Sequence, residues 1–291
     1  MPNAVDTQFG IASATKGLTA LTVISLIEQG HLGLHTTARS LLGDDLPEID
    51  DRVTVEHLLA HRSGIGDYLD EDVGFDPVDY VMGLPLHELA TTVGYLPALE
   101  GRRAKFSPGA KFSYCNSGYV VLALLLERLT GRMFQDLVEE RVCGPAGMGD
   151  TAFLRSDELP GRAARGYLKP DGLRTNVLHL PVRGSGDGGV YSTVGDVHAL
   201  WQSLSDGRIV SSQWVREMLR PRSEVRPAGR RYGLGFWLHH SQEAVILEGS
   251  DAGISFRSCH NPSGGVTWTV VSNTTEGAWP LARHLAETLP G

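Results

Sequence analysis

The sequence predicts an α+β fold in which a mainly helical stretch is followed by an antiparallel sheet. Apolar residues recur at three- and four-residue steps through most of the chain, which is typical of helices. The C-terminal quarter instead contains short segments rich in β-branched and aromatic residues, separated by Gly, Pro and Asn. No internal repeat or low-complexity linker interrupts this pattern.

The helices are predicted from apolar stripes that end at Gly, Pro or Asp-Gly. In the first of them Leu18, Leu21, Ile24 and Ile27 share one face, and Gly30 supplies the stop. A Ser/Thr cap begins the helix at residue 193. The predicted helices span residues 14–29, 53–59, 118–129, 193–204, 212–219 and 279–289.

The strands follow the last of the middle helices. They are predicted at residues 235–239, 244–247, 254–260 and 266–272, after a Pro/Arg-rich connector at residues 220–231. We therefore expect a discontinuous α/β region formed by residues 1–35 and 231–291, with residues 36–230 forming a mainly helical region.

Composition excludes several classes of protein. The 291 residues include 26 Lys and Arg against 34 Asp and Glu, and the resulting charge of -8 would repel a nucleic-acid backbone. The longest apolar run, residues 119–126, is far shorter than the ~20 residues of a membrane-spanning helix. The start lacks the basic and apolar regions of a signal peptide, so we expect a cytoplasmic protein, or a secreted or periplasmic one if the sequence is a trimmed piece.

Ser13 and Lys16 stand three residues apart at the start of the first predicted helix. At 3.6 residues per turn both side chains emerge on one face, where the helix N-terminus also favours developing negative charge. Serine is a poor nucleophile until a neighbour takes its proton, and a lysine one turn away is placed to do so. An N-cap serine followed by a surface lysine would show the same spacing.

Tyr114 and Asn116 lie about 100 residues later, just before an apolar helix. With Ser13 and Lys16 they would supply a nucleophile, a cationic partner, a phenol that relays protons and an amide that orients a substrate. These are the groups that acyl transfer requires. A buried Tyr and a helix-capping Asn are the structural alternative for this pair.

The chain resembles the serine β-lactamase-like superfamily of class C β-lactamases, D-alanyl-D-alanine carboxypeptidases and family VIII carboxylesterases. The S-x-x-K element formed by Ser13 and Lys16 is typical of β-lactamases and penicillin-binding proteins. Further segments carry the resemblance along most of the chain: TQFGIA at 7–12, LLAHRSGI at 58–65, FSPG at 106–109, GPAGM at 144–148, GGVYSTVGD at 188–196 and YGLG at 232–235.

The resemblance implies a β-lactamase/transpeptidase-like fold and a role for each matching residue. Ser13 would be the acylated nucleophile, Lys16 and Tyr114 its general-base system, and Asn116 a ligand of both Lys16 and substrate. The backbone N–H of Ser13 and one from the strand of the third motif would form the oxyanion hole. No metal or organic cofactor is expected.

The third motif departs from the family pattern. Relatives show Lys-Thr-Gly or His-x-Gly where this chain has Leu247, Glu248, Gly249 and Ser250, so the basic residue is missing. We place substrate contacts on Glu248, Gly249 and Ser250. The change favours a neutral ester or amide, or a substrate with an ammonium group near Glu248 or Asp251; Glu248 pointing away from the cleft is the alternative.

Only 12 residues precede Ser13, whereas relatives usually carry strands of the sheet there. We therefore expect these N-terminal strands to be missing and residues 266–272 to lie at a sheet edge, where an apolar strand invites pairing with a second copy. A homodimer through that edge follows as a prediction.

The function that the sequence favours is a serine hydrolase acting on a small ester or amide, of the carboxylesterase, D-peptidase or β-lactamase kind. A non-catalytic binding or scaffold protein with the same fold, or an acyltransferase that uses the same serine, is the alternative.

Gly184, Gly186 and Gly189 fit a dinucleotide motif, but no βαβ unit surrounds them. His57 and His61 lack a third zinc ligand nearby.

Overall fold

The computed structural model describes residues 2–74, 76, 79–225, 229–241 and 243–289. Its α-helices are α1 (Thr15–Glu28), α2 (Arg39–Leu42), α3 (Val55–Leu59), α4 (Leu96–Leu99), α5 (Asn116–Thr130), α6 (Phe134–Val138), α7 (Gly144–Ala146), α8 (Val194–Ser205), α9 (Ser212–Met218) and α10 (Trp279–Thr288). Its strands are β1 (Phe9–Gly10), β2 (Tyr191–Ser192), β3 (Ser223–Val225), β4 (Arg230–Tyr232), β5 (Trp237–His239), β6 (Val245–Asp251), β7 (Ile254–Asn261) and β8 (Val266–Ser272). All predicted helices and strands are present.

The main sheet has the order β3-β4-β5-β6-β7-β8, and every neighbouring pair is antiparallel. Strands β6 and β7 are joined by a tight turn at Ala252 and Gly253, and Gly253 has a φ of +68° that suits glycine. Among the described strands β8 forms one edge of the sheet, so its predicted edge position is confirmed. The α+β fold is confirmed as well.

Two strand predictions were wrong in detail. The connector at residues 220–231 contains β3 and the first residues of β4, which are too short and too polar to show a strand pattern. The strand predicted at residues 244–247 continues to Asp251, because Glu248 and Ser250 keep their ladder pairing with β7. Pairing with a neighbouring strand here outweighs the low strand propensity of the polar residues.

Helix α1 is the central element of the fold. Its residues from Thr15 to Ile27 are all buried, so the helix is enclosed on every side rather than exposed along one face. It packs closely on the sheet at Gly17, where an added Cβ would come within 2.5 Å of Leu247 Cδ2. Helix α10 covers the opposite face, where Ala278 and Ala282 pack with Val270. The arrangement fixes Ser13 between the helical layer and β6.

Other features of the chain bear on the sequence predictions. Cys115, Cys143 and Cys259 are buried free thiols. In the part of the chain that the structure describes, no helix is long and apolar enough to cross a bilayer. The division into regions at residues 36 and 231 and the cytoplasmic location stay predictions.

Candidate active site

Ser13 lies in a short turn of 3-10 helix, Ala12–Ala14, that leads into α1. The preceding Ala12 has a φ of +45°, a left-handed conformation that is costly for a residue with a side chain. Strand β6 passes so close that a Cβ on Gly249 would lie 2.0 Å from Ile11 O and 2.9 Å from Ser13 N. The turn that carries Ser13 is therefore held between α1 and a strand that tolerates only glycine at this point.

Lys16 lies one turn after Ser13 and is only 2% exposed. Its Nζ donates hydrogen bonds to Ser13 Oγ at 3.0 Å, to Asn116 Oδ1 at 2.8 Å and to the carbonyl oxygen of Asp187 at 2.7 Å. Three acceptors match the three donors of an ammonium group. The sequence-predicted pair is thus in contact, and the contact is partly buried.

Tyr114 lies on the other side of Ser13, just before α5. The Lys16 Nζ is 4.9 Å from the centre of its ring. Burial raises the pKa of Tyr114 well above its usual range, and the charge of Glu71 raises it further, whereas a hydrogen bond with Ser13 lowers it. Tyr114 is therefore a neutral phenol near pH 7, beside the serine.

Asn116 is the first residue of α5 and uses both ends of its amide. While its Oδ1 accepts from Lys16, its Nδ2 donates to the carbonyl oxygen of Leu69 at 3.0 Å and to Glu71 Oε1 at 3.3 Å. Asn116 thereby ties Lys16 to the segment around residue 70. Ser13, Lys16, Tyr114 and Asn116 form one connected group.

Asp67 holds the start of α5 and was missed by the sequence analysis. Its carboxylate accepts from Asn116 N at 2.7 Å and from Ser117 N at 2.9 Å, which pairs two of the free N–H groups at the helix N-terminus. Burial raises the pKa of Asp67 and these hydrogen bonds lower it. A cap supplied from 49 residues away leaves no local pattern in the sequence.

His61 holds Tyr114 in place and was also missed in this role. It has a φ of +55°; its carbonyl oxygen accepts from Ser113 N at 2.9 Å and its Nδ1 accepts from Cys115 N at 3.1 Å. These bonds fix the backbone on both sides of Tyr114, and the two rings lie 4.3 Å apart. Burial lowers the pKa of His61 well below its usual value, so the imidazole is neutral.

His57 and His61 have separate structural roles and do not act together. The Nδ1 of His57 accepts from Thr54 N in a capping box at the start of α3, away from the contacts of His61. Within the described ranges no group of three His, Cys, Asp or Glu side chains is placed to hold a metal ion.

Two spaces meet at Ser13. The first, here called the inner cavity, has a volume of about 60 Å³ and is lined by residues that include Tyr68, Tyr80, Tyr95, Tyr191, Asp187 and Asp251. The second, here called the outer cleft, is open to solvent, has a volume of about 710 Å³ and is lined by residues that include Tyr114, Trp237, Glu248, Gly249 and Trp279. Ser13, Glu71 and Ser250 border both.

The family model described as Beta-lactamase matches residues 1–288. The chain belongs to this beta-lactamase family. A solved structure of a penicillin-binding protein from Bacillus halodurans is 32% identical to it, with a TM-score of 0.92 and coverage of 99% of this chain and 88% of that one. The predicted resemblance is confirmed.

Curated relatives of this beta-lactamase-family chain differ in what they act on. A D-aminopeptidase from Brucella anthropi is 28% identical over 249 residues, 82% of this chain and 44% of that protein. Esterase EstB from Burkholderia gladioli is 33% identical over 172 residues, 57% of this chain and 43% of that protein. The chain spans about half the length of the curated relatives it matches.

The segment predicted as the third motif carries paired charges in this beta-lactamase-family chain. Glu248 accepts from Arg230 Nη1 at 3.0 Å and Nη2 at 3.2 Å, and it also pairs with Arg257. Leu247, on the opposite face of β6, is buried in the core. Gly249 and Ser250 border the outer cleft together with Glu248. Glu248 lies in the segment where the resemblance predicts a Lys or His. Two guanidinium groups from neighbouring strands bind its carboxylate.

Proposed function

We propose that the protein is a serine hydrolase that cleaves a small ester or amide through a covalent acyl-enzyme on Ser13. The contact between Lys16 Nζ and Ser13 Oγ at 3.0 Å, inside a partly buried group that includes Tyr114 and Asn116, is the observation that carries the proposal. The relatives named as an esterase and a D-aminopeptidase support ester and amide substrates. This complete set of groups favours an enzyme over a non-catalytic scaffold.

The proposed reaction starts from the form in which the pair of Lys16 and Tyr114 has released one proton to solvent. Ser13 Oγ then attacks the carbonyl carbon, while its proton passes to that deprotonated pair. Ser13 N–H and an N–H of β6 beside Gly249 would stabilise the oxyanion. The pair returns the proton to the leaving group as the acyl-enzyme forms. A water molecule then attacks the acyl carbon and gives its proton to the pair, which returns it to Ser13 Oγ as the acid product leaves.

Hydrolysis of p-nitrophenyl butyrate tests the proposal. We expect Ser13→Ala to lower kcat/KM by at least about 10³-fold, because the nucleophile is removed. Ser40→Ala, on an exposed serine that donates to Thr37 O, is the matched control and should behave as wild type. Turnover of the Ser13→Ala variant at the wild-type rate would contradict the proposed mechanism.

Acyl transfer is a second candidate, because the open outer cleft gives an alcohol or amine access to Ser13. Adding methanol to the butyrate assay separates the two activities. If the share of methyl butyrate among the products exceeds the mole fraction of methanol in the solvent, the protein transfers the acyl group. If butyrate is the main product, it hydrolyses the ester.

The homodimer through β8 also belongs to the proposal. Most side chains of this strand are partly exposed, and an edge strand presents backbone groups to a second copy. Light scattering should give a dimer for the wild type and a monomer for Val266→Lys, which places a charge at the start of the strand. A monomeric wild type would contradict the predicted dimer.

A further inference from the structure

The inner cavity receives one end of any substrate whose carbonyl group is placed at Ser13. Its volume of about 60 Å³ suits a short group of a few non-hydrogen atoms, since a single water molecule needs roughly 10–15 Å³. Tyr95, Leu180 and Ile254 make part of the wall apolar. The other end of the substrate then extends into the outer cleft.

The charges around the inner cavity are unbalanced. Its described lining contains the carboxylates Glu71, Asp187 and Asp251 and no Lys or Arg. Lys16, the cation closest to Ser13, directs all three of its donors at protein acceptors. A substrate group in this cavity therefore meets an excess of negative charge.

Among the described residues each carboxylate of this set accepts one hydrogen bond, and Asp251 is the one to which no side chain donates. Glu71 accepts from Asn116, and Asp187 accepts from the Tyr68 hydroxyl at 2.5 Å. Among the hydrogen bonds of the described residues, the Asp251 carboxylate accepts one, from the backbone N–H of its neighbour Ala252 at 2.7 Å. A buried carboxylate with one donor is costly unless a cation joins it.

Glu248, the other carboxylate that the sequence put forward as a partner for an ammonium group, is in the opposite situation. Arg230 and Arg257 both bind it, so the three side chains together carry a net positive charge. An ammonium group gains nothing beside such a set. Of the two carboxylates, Asp251 in the inner cavity is therefore the better partner for an ammonium group.

We propose that the inner cavity binds an ammonium group on the acyl part of the substrate, with Asp251 as its ionic partner. The substrate class is then an aminoacyl ester or amide, cleaved at the carbonyl that bears the amino-substituted carbon chain. This inference rests on the serine hydrolase activity proposed above and further specifies that the acyl group of the substrate is positively charged.

The pH dependence of selectivity follows from the environment of Asp251. Burial raises its pKa to about 7, the Ala252 N–H lowers it, Asp187 and Glu71 raise it and Lys16 lowers it. Only the ionised carboxylate attracts an ammonium group, so preference for a cationic substrate increases as the pH rises through about 7. Besides these charged groups, the side chains that face Asp251 include the phenols of Tyr80, Tyr95 and Tyr191.

Paired substrates test the inference. Alanyl p-nitroanilide of either hand carries the ammonium group, and propionyl p-nitroanilide has the same carbon chain without it. We expect the wild type to prefer one alanyl substrate, mainly through KM, and Asp251→Asn to reduce that preference by about 30-fold while propionyl turnover changes less than about threefold. Asp206→Asn removes an exposed carboxylate that pairs with Arg208 and borders neither space, and should leave the preference unchanged.

The outcomes separate the two proposals. Propionyl anilide cleaved as well as both alanyl anilides, with activity lost in Ser13→Ala, would overturn the ammonium site and leave the hydrolase intact. Activity that survives Ser13→Ala would overturn the hydrolase mechanism. Inhibition of wild-type butyrate hydrolysis by alaninamide and propionamide needs no variant: stronger inhibition by alaninamide supports the site, and equal inhibition overturns it.

Discussion

The two sides of Ser13 differ in how their polar groups are used. On the helix side Lys16 and Asn116 are buried and hydrogen-bonded to each other, and the half-buried Tyr114 ring lies beside Lys16 Nζ, so their positions are fixed before a substrate arrives. On the strand side β6 borders an open cleft, and its charge at Glu248 is held by arginines of neighbouring strands. The comparison teaches that the groups proposed for the chemical step hold one another in place, whereas the charge of β6 beside the open cleft is held by neighbouring strands.

Lys16→Met tests the helix side and should have the largest effect. The variant keeps the length of the side chain but removes the ammonium group that contacts Ser13 Oγ, Asn116 Oδ1 and Asp187 O. We expect kcat/KM for p-nitrophenyl butyrate to fall about 10³-fold. A decrease of less than tenfold, in a variant with wild-type circular dichroism, would show that Tyr114 activates the serine alone.

Gly249→Ala tests the contact between the two sides. The new Cβ would lie 2.0 Å from Ile11 O, so β6 has to move away from the turn that carries Ser13. We expect kcat to fall about 10²-fold because an oxyanion donor is displaced. Gly161→Ala, where a Cβ meets nothing within 4 Å, is the control and should keep its activity. Wild-type kcat in Gly249→Ala would place the oxyanion donors elsewhere.

His61→Leu and His61→Asn test the support beneath Tyr114. Leucine leaves the buried N–H of Cys115 without an acceptor, which should lower the free energy of unfolding by about 1–3 kcal/mol and kcat by about tenfold. Asparagine accepts at the position of Nδ1 and tolerates a positive φ, so it should recover most of the kcat. Urea unfolding measures the free energy and butyrate hydrolysis measures kcat. Equal kcat in the two variants would contradict the role of His61 in positioning Tyr114.

Glu248→Gln tests the strand side and should have the smallest effect. Its partners are partly exposed, so we expect a loss of only about 1 kcal/mol in the free energy of unfolding and less than threefold change in kcat/KM for the neutral butyrate ester. Unfolding in urea at low and high salt measures the first quantity, and the difference should shrink at high salt. A loss of butyrate activity comparable to that of Lys16→Met would place Glu248 in the chemical step.

Local patterns account for what could be predicted from the sequence. The helix α1 and the Ser13–Lys16 contact follow from spacing within one turn, and the strands β7 and β8 follow from β-branched and aromatic residues. Tyr114 and Asn116 were recognised through the family resemblance, since about 100 residues separate them from Ser13. Local rules were sufficient wherever an element is stabilised by its own side chains.

The remaining parts depend on partners far along the chain. Strand β3 exists because β4 pairs with it, and α5 begins where Asp67 supplies its cap. Asp187 takes part through its backbone carbonyl, which any residue type could provide. The state of Glu248 depends on Arg230, 18 residues away, and on Arg257 on the next strand. None of these contacts has a signature in sequence spacing.

Labelling with a fluorophosphonate tests the central claim most directly, because the reagent traps a nucleophilic serine without requiring the natural substrate. Intact-mass and peptide mass spectrometry should find one adduct per chain, on the peptide that contains Ser13, and none in Ser13→Ala. An adduct on another residue, or equal labelling of Ser13→Ala, would contradict the assignment of Ser13 as the nucleophile.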